Sequence, residues 1–281
     1  MSTVSFIIPT HPPHYHYLYN ILPKLKGIID IHLVFSNSKD YEMFSMKELI
    51  IPIVVNGHIN TRSIITFKKF YGLKQLMQSK YDYFIVCDSE IDIILENLTE
   101  ENIRSKVEKN YDNKIFYAGN IYNKHWVIDV NRVSSNLFSK DEQLKIKNIT
   151  ENFTLYSWFS DLHVYKRTDL SDFFKKIDYS NIEYIHFDYI IYQYWLLLER
   201  NFIIINTTPY TKMNWSLELL NEMNETLYEY LIANNYGFGW CNKTFYNNNK
   251  QFCLTNKTFI IYNIDRQSDE LVKRWNVLCD K

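Results

Sequence analysis

The stretch from Asp82 to Cys87 reads DYFIVC, with its apolar residues in an unbroken run rather than in alternation. A strand with one solvated face alternates apolar and polar side chains, so this run predicts a strand covered on both faces. Such strands belong to parallel sheets with helices on either side, which narrows the chain to α/β architectures. The run then meets Asp88, Ser89 and Glu90, and apolar sequence resumes to Leu95. We read Tyr81 to Leu95 as a central strand whose acidic end is where a ligand would meet the sheet.

The flanking sequence supplies the rest of such a fold. TVSFIIP predicts a buried strand closed by Pro9, and HPPHYHYLYNILPKLKG a loop and helix ending near Gly27. IDIHLVFSN and LIIPIVVNG give two further strands, the second closed by Asn56-Gly57. In TRSIITFKKFYGLKQLMQSK, Phe67, Phe70, Leu73 and Met77 recur near helical spacing, leaving Lys68, Gln75 and Ser79 for a polar face. TEENIRSKVEKN reads as a helix and KIFYAGN as a strand, whereas the polar, weakly periodic stretch Val133 to Asn152 reads as a mobile loop or broken helix able to cover a site. A strand and short helix follow in WFSDLHVYKRTDLSDFFKKI, then a longer helix in FDYIIYQYWLLLER and a strand in NFIIINTTP. Strands alternating with helices give a mixed, mostly parallel sheet flanked by helices. We divide the chain into a core over residues 1–210 and a C-terminal helical extension over 211–281, where Leu220, Met223, Leu227 and Leu231 mark one helix face.

Composition sets the limits on function. With 46% hydrophobic and 22% charged residues and a formal net charge of −1, the 281-residue chain is globular and has no global basic field for nucleic acid. The apolar run before Pro9 is too short for a signal peptide or a membrane span, so the expectation is a soluble, cytoplasmic protein, with peripheral membrane contact left open. Sequons such as Asn148-Ile149-Thr150 and Asn242-Lys243-Thr244 are accordingly expected to be unmodified. Cys87, Cys241, Cys253 and Cys279 form no C-x-x-C pair, which speaks for reduced thiols. The glycines at 27, 57, 72, 119, 237 and 239 make neither a G-x-G-x-x-G nor a P-loop.

The chemistry concentrates at Asp88 and Glu90. On extended backbone both carboxylates project to one side and Ser89 to the other, so they can grip one hard cation, which would in turn neutralise a diphosphate. The same pair also suits a solvated polar strand end.

Three stretches together resemble nucleotide-sugar glycosyltransferases of the GT-A fold. VSFIIPTHPP is similar to the family's V-S-I-I-I-P-T opening, and FKKFYGLKQLMQSKYDYFIVCDSE to its helix running into a D-x-D or D-x-E motif behind a buried strand. FDYIIYQYWLL looks like its later acidic and aromatic helix. The likeness spans roughly the first two thirds of the chain, by pattern rather than identity. It implies a metal-dependent enzyme that moves a sugar from a nucleotide-diphosphate donor, UDP-sugar favoured, to a hydroxyl of a glycan or glycoconjugate acceptor. Mn²⁺ or Mg²⁺ is then expected on Asp88 and Glu90, and the glutamate, which reaches further than the usual aspartate, leaves the metal open. Donor contacts are expected from Pro9, Thr10, His11, Ser36, Asn37, Arg62, Lys69, Asp88 and Ser89. If the reaction inverts, Asp188 becomes its base, and if it retains, no base is required from this chain; Tyr192 and Trp195 are expected toward the acceptor.

Each assignment has a plainer counterpart. Arg62, Lys68 and Lys69 also suit a solvated helix face, and Asp188 a helix start. His14, His16, His163 and His186 read as ordinary surface or core histidines, and Trp126, Trp158 and Trp240 as core aromatics. Among functions, a nucleotidyltransferase or metal-dependent phosphohydrolase would also use paired carboxylates at a strand end. A non-catalytic carbohydrate-binding protein would carry the fold without the chemistry.

Overall fold

In the computed structural model, residues 3–57, 64–94, 99–118, 125–150, 163–206 and 260–263 are described. They form strands β1 (Val4–Thr10), β2 (Asp30–Phe35), β3 (Ile51–Val54), β4 (Tyr83–Val86), β5 (Ile91–Ile94), β6 (Ile115–Ala118), β7 (His163–Lys166), β8 (Ile203–Asn206) and β9 (Ile260–Asn263). The helices are α1 (Tyr15–Leu25), α2 (Ser38–Met43), α3 (Ile64–Gln75), α4 (Glu100–Asp112), α5 (His125–Ser135), α6 (Lys140–Ile149), α7 (Arg167–Lys176) and α8 (Asp188–Glu199).

The central sheet has the order β3-β2-β1-β4-β7. Its first four strands are mutually parallel, and β7 runs antiparallel beside β4. All seven residues of β1 and all four of β4 are buried, as continuous apolar runs require of strands covered on both faces. Each fully buried Ile, Leu, Val or Phe of this layer, among them Ile7, Ile8, Leu33, Phe35 and Phe84, contributes about 1.5–3 kcal/mol. The result is a mixed α/β fold of Rossmann-like order, in which the chain winds from β1 outward to β3 and then returns to place β4 on the other side of β1. The reversal falls between β1 and β4, the place where such sheets bind ligands.

Helix α3 makes the return crossover and lies close on the sheet. A Cβ on Gly72 would come within 2.8 Å of Val34 Cγ2 and 3.0 Å of Ile7 Cγ2, so glycine here sets the helix-to-sheet distance.

Four expectations change. Tyr81 to Leu95 is not one strand: the β1–β4 ladder ends with Cys87 N donating to Ile7 O at 3.2 Å, and the backbone bends at Ser89 and Glu90. β5 then leaves the central sheet and pairs antiparallel with β9. Two carboxylates cannot continue into a layer covered on both faces, so the chain turns where they begin. Second, of the two readings for Val133 to Asn152 the broken helix holds through Thr150 and the mobile loop does not, since α5 ends at Ser135 and a reciprocal capping box of Ser139 and Glu142 starts α6. Third, Lys68 is fully buried rather than on a polar face. Fourth, α8 buries every residue from Asp188 to Leu197, so it has no exposed aromatic stripe. The extension over 211–281 lies outside the described residues except for β9. Among the described residues, no helix is long and apolar enough to cross a membrane.

Candidate functional site

Two loops meet at the carboxyl ends of β1 and β4, where sheets of this order have their ligand crevice. After Thr10 the chain passes through His11 into a 3-10 turn at Pro12–His14, and after β4 it reaches Asp88, Ser89 and Glu90. His14 joins them: its Nδ1 lies 2.9 Å from Ser89 Oγ and 3.1 Å from Glu90 Oε2, while Ser89 Oγ donates to the same Glu90 oxygen at 3.1 Å. Ser89 therefore turns toward Glu90, and the alternation expected of an extended strand does not hold here.

Beneath the crevice, α3 contributes two adjacent lysines that diverge. Lys68 Nζ donates to Thr10 O at 2.6 Å and to Ser36 Oγ at 3.3 Å, and burial brings its pKa down to about 8. Lys69 Nζ donates to Asp188 Oδ1 at 2.8 Å and sits 2.8 Å from Asp88 Oδ1. Asp188 Oδ2 accepts from Tyr165 OH at 2.8 Å. Burial by itself would lower the Lys69 pKa, and Asp188 and then Asp88 overcome it, holding the ammonium form above its usual range.

The two motif carboxylates differ. The side chain of Asp88 is 37% exposed, yet its Oδ1 is shielded and, despite the nearby ammonium, has no aligned hydrogen bond. Glu90 is buried, and its pKa is raised by that burial and by the charge of Asp88, against the pull of His14. Asp88 Oδ1 is met by the Lys69 ammonium and Glu90 Oε2 by Ser89 Oγ and His14 Nδ1, so a hard divalent cation here would have to use the outer oxygens of the two carboxylates. Among the described residues no group of three or more His, Cys, Asp or Glu is placed to hold a metal ion. A cation on Asp88 and Glu90 would therefore complete its shell with water and substrate oxygens, as Mg²⁺ commonly does at phosphate sites.

The other expected contacts divide into those that reach the crevice and those that do not. Pro9 is buried in β1 opposite Val34, and Thr10 ends the strand with its Oγ1 shielded and without a hydrogen bond. His11 is half-buried with its ring 3.9 Å from that of His14, and burial, reinforced by His14 and Lys68, lowers its pKa to about 4. Ser36 faces Lys68, whereas exposed Asn37 accepts from Asp40 N at 2.9 Å and caps α2. Arg62 lies outside the described residues.

Three assignments are corrected by burial. Asp188 is completely buried with both oxygens engaged, so it cannot take a proton from an acceptor hydroxyl in this arrangement. Lys69 is matched by two carboxylates and is not free for a diphosphate. Tyr192 and Trp195 are core residues at 2% and 1% exposure, the first with its hydroxyl on Asp169 and Lys166 N, the second beneath the Arg200 guanidinium. His186 is a satisfied core residue that accepts from Glu183 N, and His16 is exposed. His163 stacks on Tyr189 at 4.0 Å, and burial followed by the Lys69 charge lowers its pKa to about 3 against the pull of Asp88. Trp158 and Trp240 lie outside the described residues, as does the side chain of Trp126.

Sequence reasoning weighed Lys68 beside Arg62 and Lys69 as a cation for the diphosphate, but did not foresee its burial or the link made by His14. For Lys68 a signal exists, since Gly72 is four residues on and shares its helix face, and a mid-helix glycine marks close approach to another element.

No family model matches the chain, and no curated protein matches it. Among solved structures, a 4-diphosphocytidyl-2C-methyl-D-erythritol synthase from Anaerococcus prevotii is similar at 16% identity and a TM-score of 0.28, covering 70% of this chain and 99% of that one.

Proposed function

We propose that the chain is a glycosyltransferase that moves a sugar from a nucleotide-diphosphate donor, UDP-sugar foremost, to a hydroxyl of a glycan or glycoconjugate, with Mn²⁺ or Mg²⁺ at Asp88 and Glu90. The observation that carries this reading is the Asp88-Ser89-Glu90 turn at the β1–β4 reversal, pinned to the β1 loop by His14. Such a position suits a nucleotide laid across the strand ends. A bound divalent cation would supply Lewis-acid stabilisation of the departing diphosphate. The chain's own part is to hold Asp88 and Glu90 at the mouth and to offer His11 and Ser36 toward the nucleoside. Lys68 braces the floor between β1 and β2. Asp188 is sealed in, so no residue is assigned as base and the stereochemical course is left out of the proposal.

Thermal unfolding tests donor binding. UDP is expected to raise the midpoint only with Mn²⁺ or Mg²⁺, by an amount that grows with its concentration, and the Asp88→Ala variant is expected to lose the effect. Release of labelled sugar from a UDP-sugar would then separate this activity from a nucleotidyltransferase, which would release pyrophosphate from a nucleoside triphosphate. Absence of a shift with every nucleoside diphosphate, with and without metal, would overturn the proposal.

A further inference from the structure

His163 opens β7, and because β7 runs antiparallel to β4, its first residue stands at the carboxyl end of β4, opposite Val86. Asp88 follows Val86 by two positions. Tyr165, two residues on in β7 and so on the same sheet face as His163, reaches Asp188, the partner of Lys69. His163 therefore stands at the end and on the face where Lys69 meets Asp88, and it feels the charge of both. Its ring lies flat on Tyr189, with centroids 4.0 Å apart and planes 1° from parallel, which fixes the direction of its nitrogens. Nδ1 is shielded from solvent and, among the described residues, has no hydrogen-bond partner, whereas Nε2 is not enclosed in this way. His186, by contrast, uses its Nδ1 within the fold, accepting from Glu183 N at 2.9 Å. A buried polar atom without a partner costs stability, so one that is kept calls for a use.

Burial and the Lys69 ammonium keep the His163 ring neutral, with one N–H to place. Orphaned N–H groups are rarer in protein interiors than orphaned acceptors, so the proton is assigned to Nε2 and the bare lone pair to the shielded Nδ1. We propose that His163 is a specificity residue for the sugar, its Nε2–H donating to a hydroxyl of the unit carried beyond the diphosphate. This inference rests on the nucleotide-sugar reading above. The strand order places the parts: with the nucleoside over the ends of β2 and β1, at Ser36 and His11, and the diphosphate at the β1–β4 reversal, whatever the diphosphate carries lies over β7. A neutral donor suits an uncharged hydroxyl, whereas phosphate oxygens gain most from charged donors.

The test measures binding of UDP, UDP-glucose, UDP-galactose and UDP-N-acetylglucosamine to the full-length protein by titration calorimetry in buffer with Mn²⁺, and compares the ratio of UDP-sugar to UDP affinity between variants. His163→Phe keeps an aromatic ring against Tyr189 and removes the N–H, and for at least one UDP-sugar the ratio is expected to fall about fivefold. Without ligand, the same variant is expected to unfold at a higher temperature than the parent, since it removes an unpaired buried nitrogen. His163→Gln, whose amide nitrogen reaches the place of Nε2, is expected to keep most of the parent ratio, and His163→Asn, whose amide falls at Nδ1, to lose it. Ratios equal to the parent's in His163→Phe and His163→Asn for all three sugars would overturn the role of His163 and leave the nucleotide reading intact. A parent that binds neither UDP nor any of the UDP-sugars would overturn both.

Discussion

Asp169 shows what full satisfaction of a buried carboxylate requires in this chain. It accepts from the hydroxyls of Tyr111 and Tyr192 and pairs through Oδ1 with Arg200 Nε at 2.8 Å. Replacing it by alanine strands three donors, and the cost expected from breaking such a network is about 3 kcal/mol. Urea unfolding of Asp169→Ala should show a lower midpoint with an unchanged slope. Asp88 is the opposite case, half-open and with a shielded oxygen lacking an aligned hydrogen bond. Its alanine variant leaves Lys69 balanced by Asp188, so the expected loss is under about 1 kcal/mol, and the disappearance of UDP stabilisation can be read as lost binding. Both residues are acidic, and their neighbours in sequence do not tell them apart. What separates them is distance along the chain: Lys69 meets Asp188 across 119 positions, and Tyr111 meets Asp169 across 58.

At the scale of elements, the apolar runs of β1, β2 and β4 were legible because burial on both faces leaves an unbroken pattern. The break between β4 and β5 was not, since the partner of β5 is β9, far away in the chain. Helix α6 was readable from Ser139-x-x-Glu142, a capping box that its weak periodicity obscured. The total burial of α8 was masked by its Tyr and Gln residues, which suggest a polar face until Tyr192 and Tyr194 are seen with their hydroxyls on Asp169 and Asn131. Helix α3 offers the sharpest test of element packing. Alanine in place of a mid-helix glycine ordinarily gains about 1 kcal/mol. At Gly72 the added methyl would meet branched side chains of the sheet at 2.8 and 3.0 Å, and overpacking of this kind costs about 1–3 kcal/mol. Gly72→Ala is therefore expected to lower the thermal midpoint, and a raised midpoint would show that α3 can lift off the sheet without cost.

For the molecule as a whole, a sheet covered on both faces creates a dry layer, and whatever titrates inside it couples folding to pH. His32 lies in that layer on β2 at 3% exposure, with neither ring nitrogen hydrogen-bonded and its ring against Tyr81 at 5.3 Å. Burial drives its pKa from 6.5 to about 4, with Asp30 opposing and Lys80 assisting. The unfolded chain thus takes up a proton at a higher pH than the folded one. Stability is whole above the unfolded value, falls as pH drops through the window between the two values, and carries the full penalty below the folded value. At pH 5 the contribution lost through this one ring is about 2 kcal/mol. His11, lowered to about 4, and His163, lowered to about 3, act in the same direction, so the parent should weaken by more than His32 accounts for. His32→Phe keeps an aromatic ring against Tyr81 and removes the proton site. Urea midpoints measured at pH 7 and pH 5 should fall less in this variant than in the parent, by the equivalent of about 2 kcal/mol. An equal fall in both proteins would mean that His32 takes up its proton in the folded sheet, and the acid sensitivity would then belong to the crevice rather than to the core.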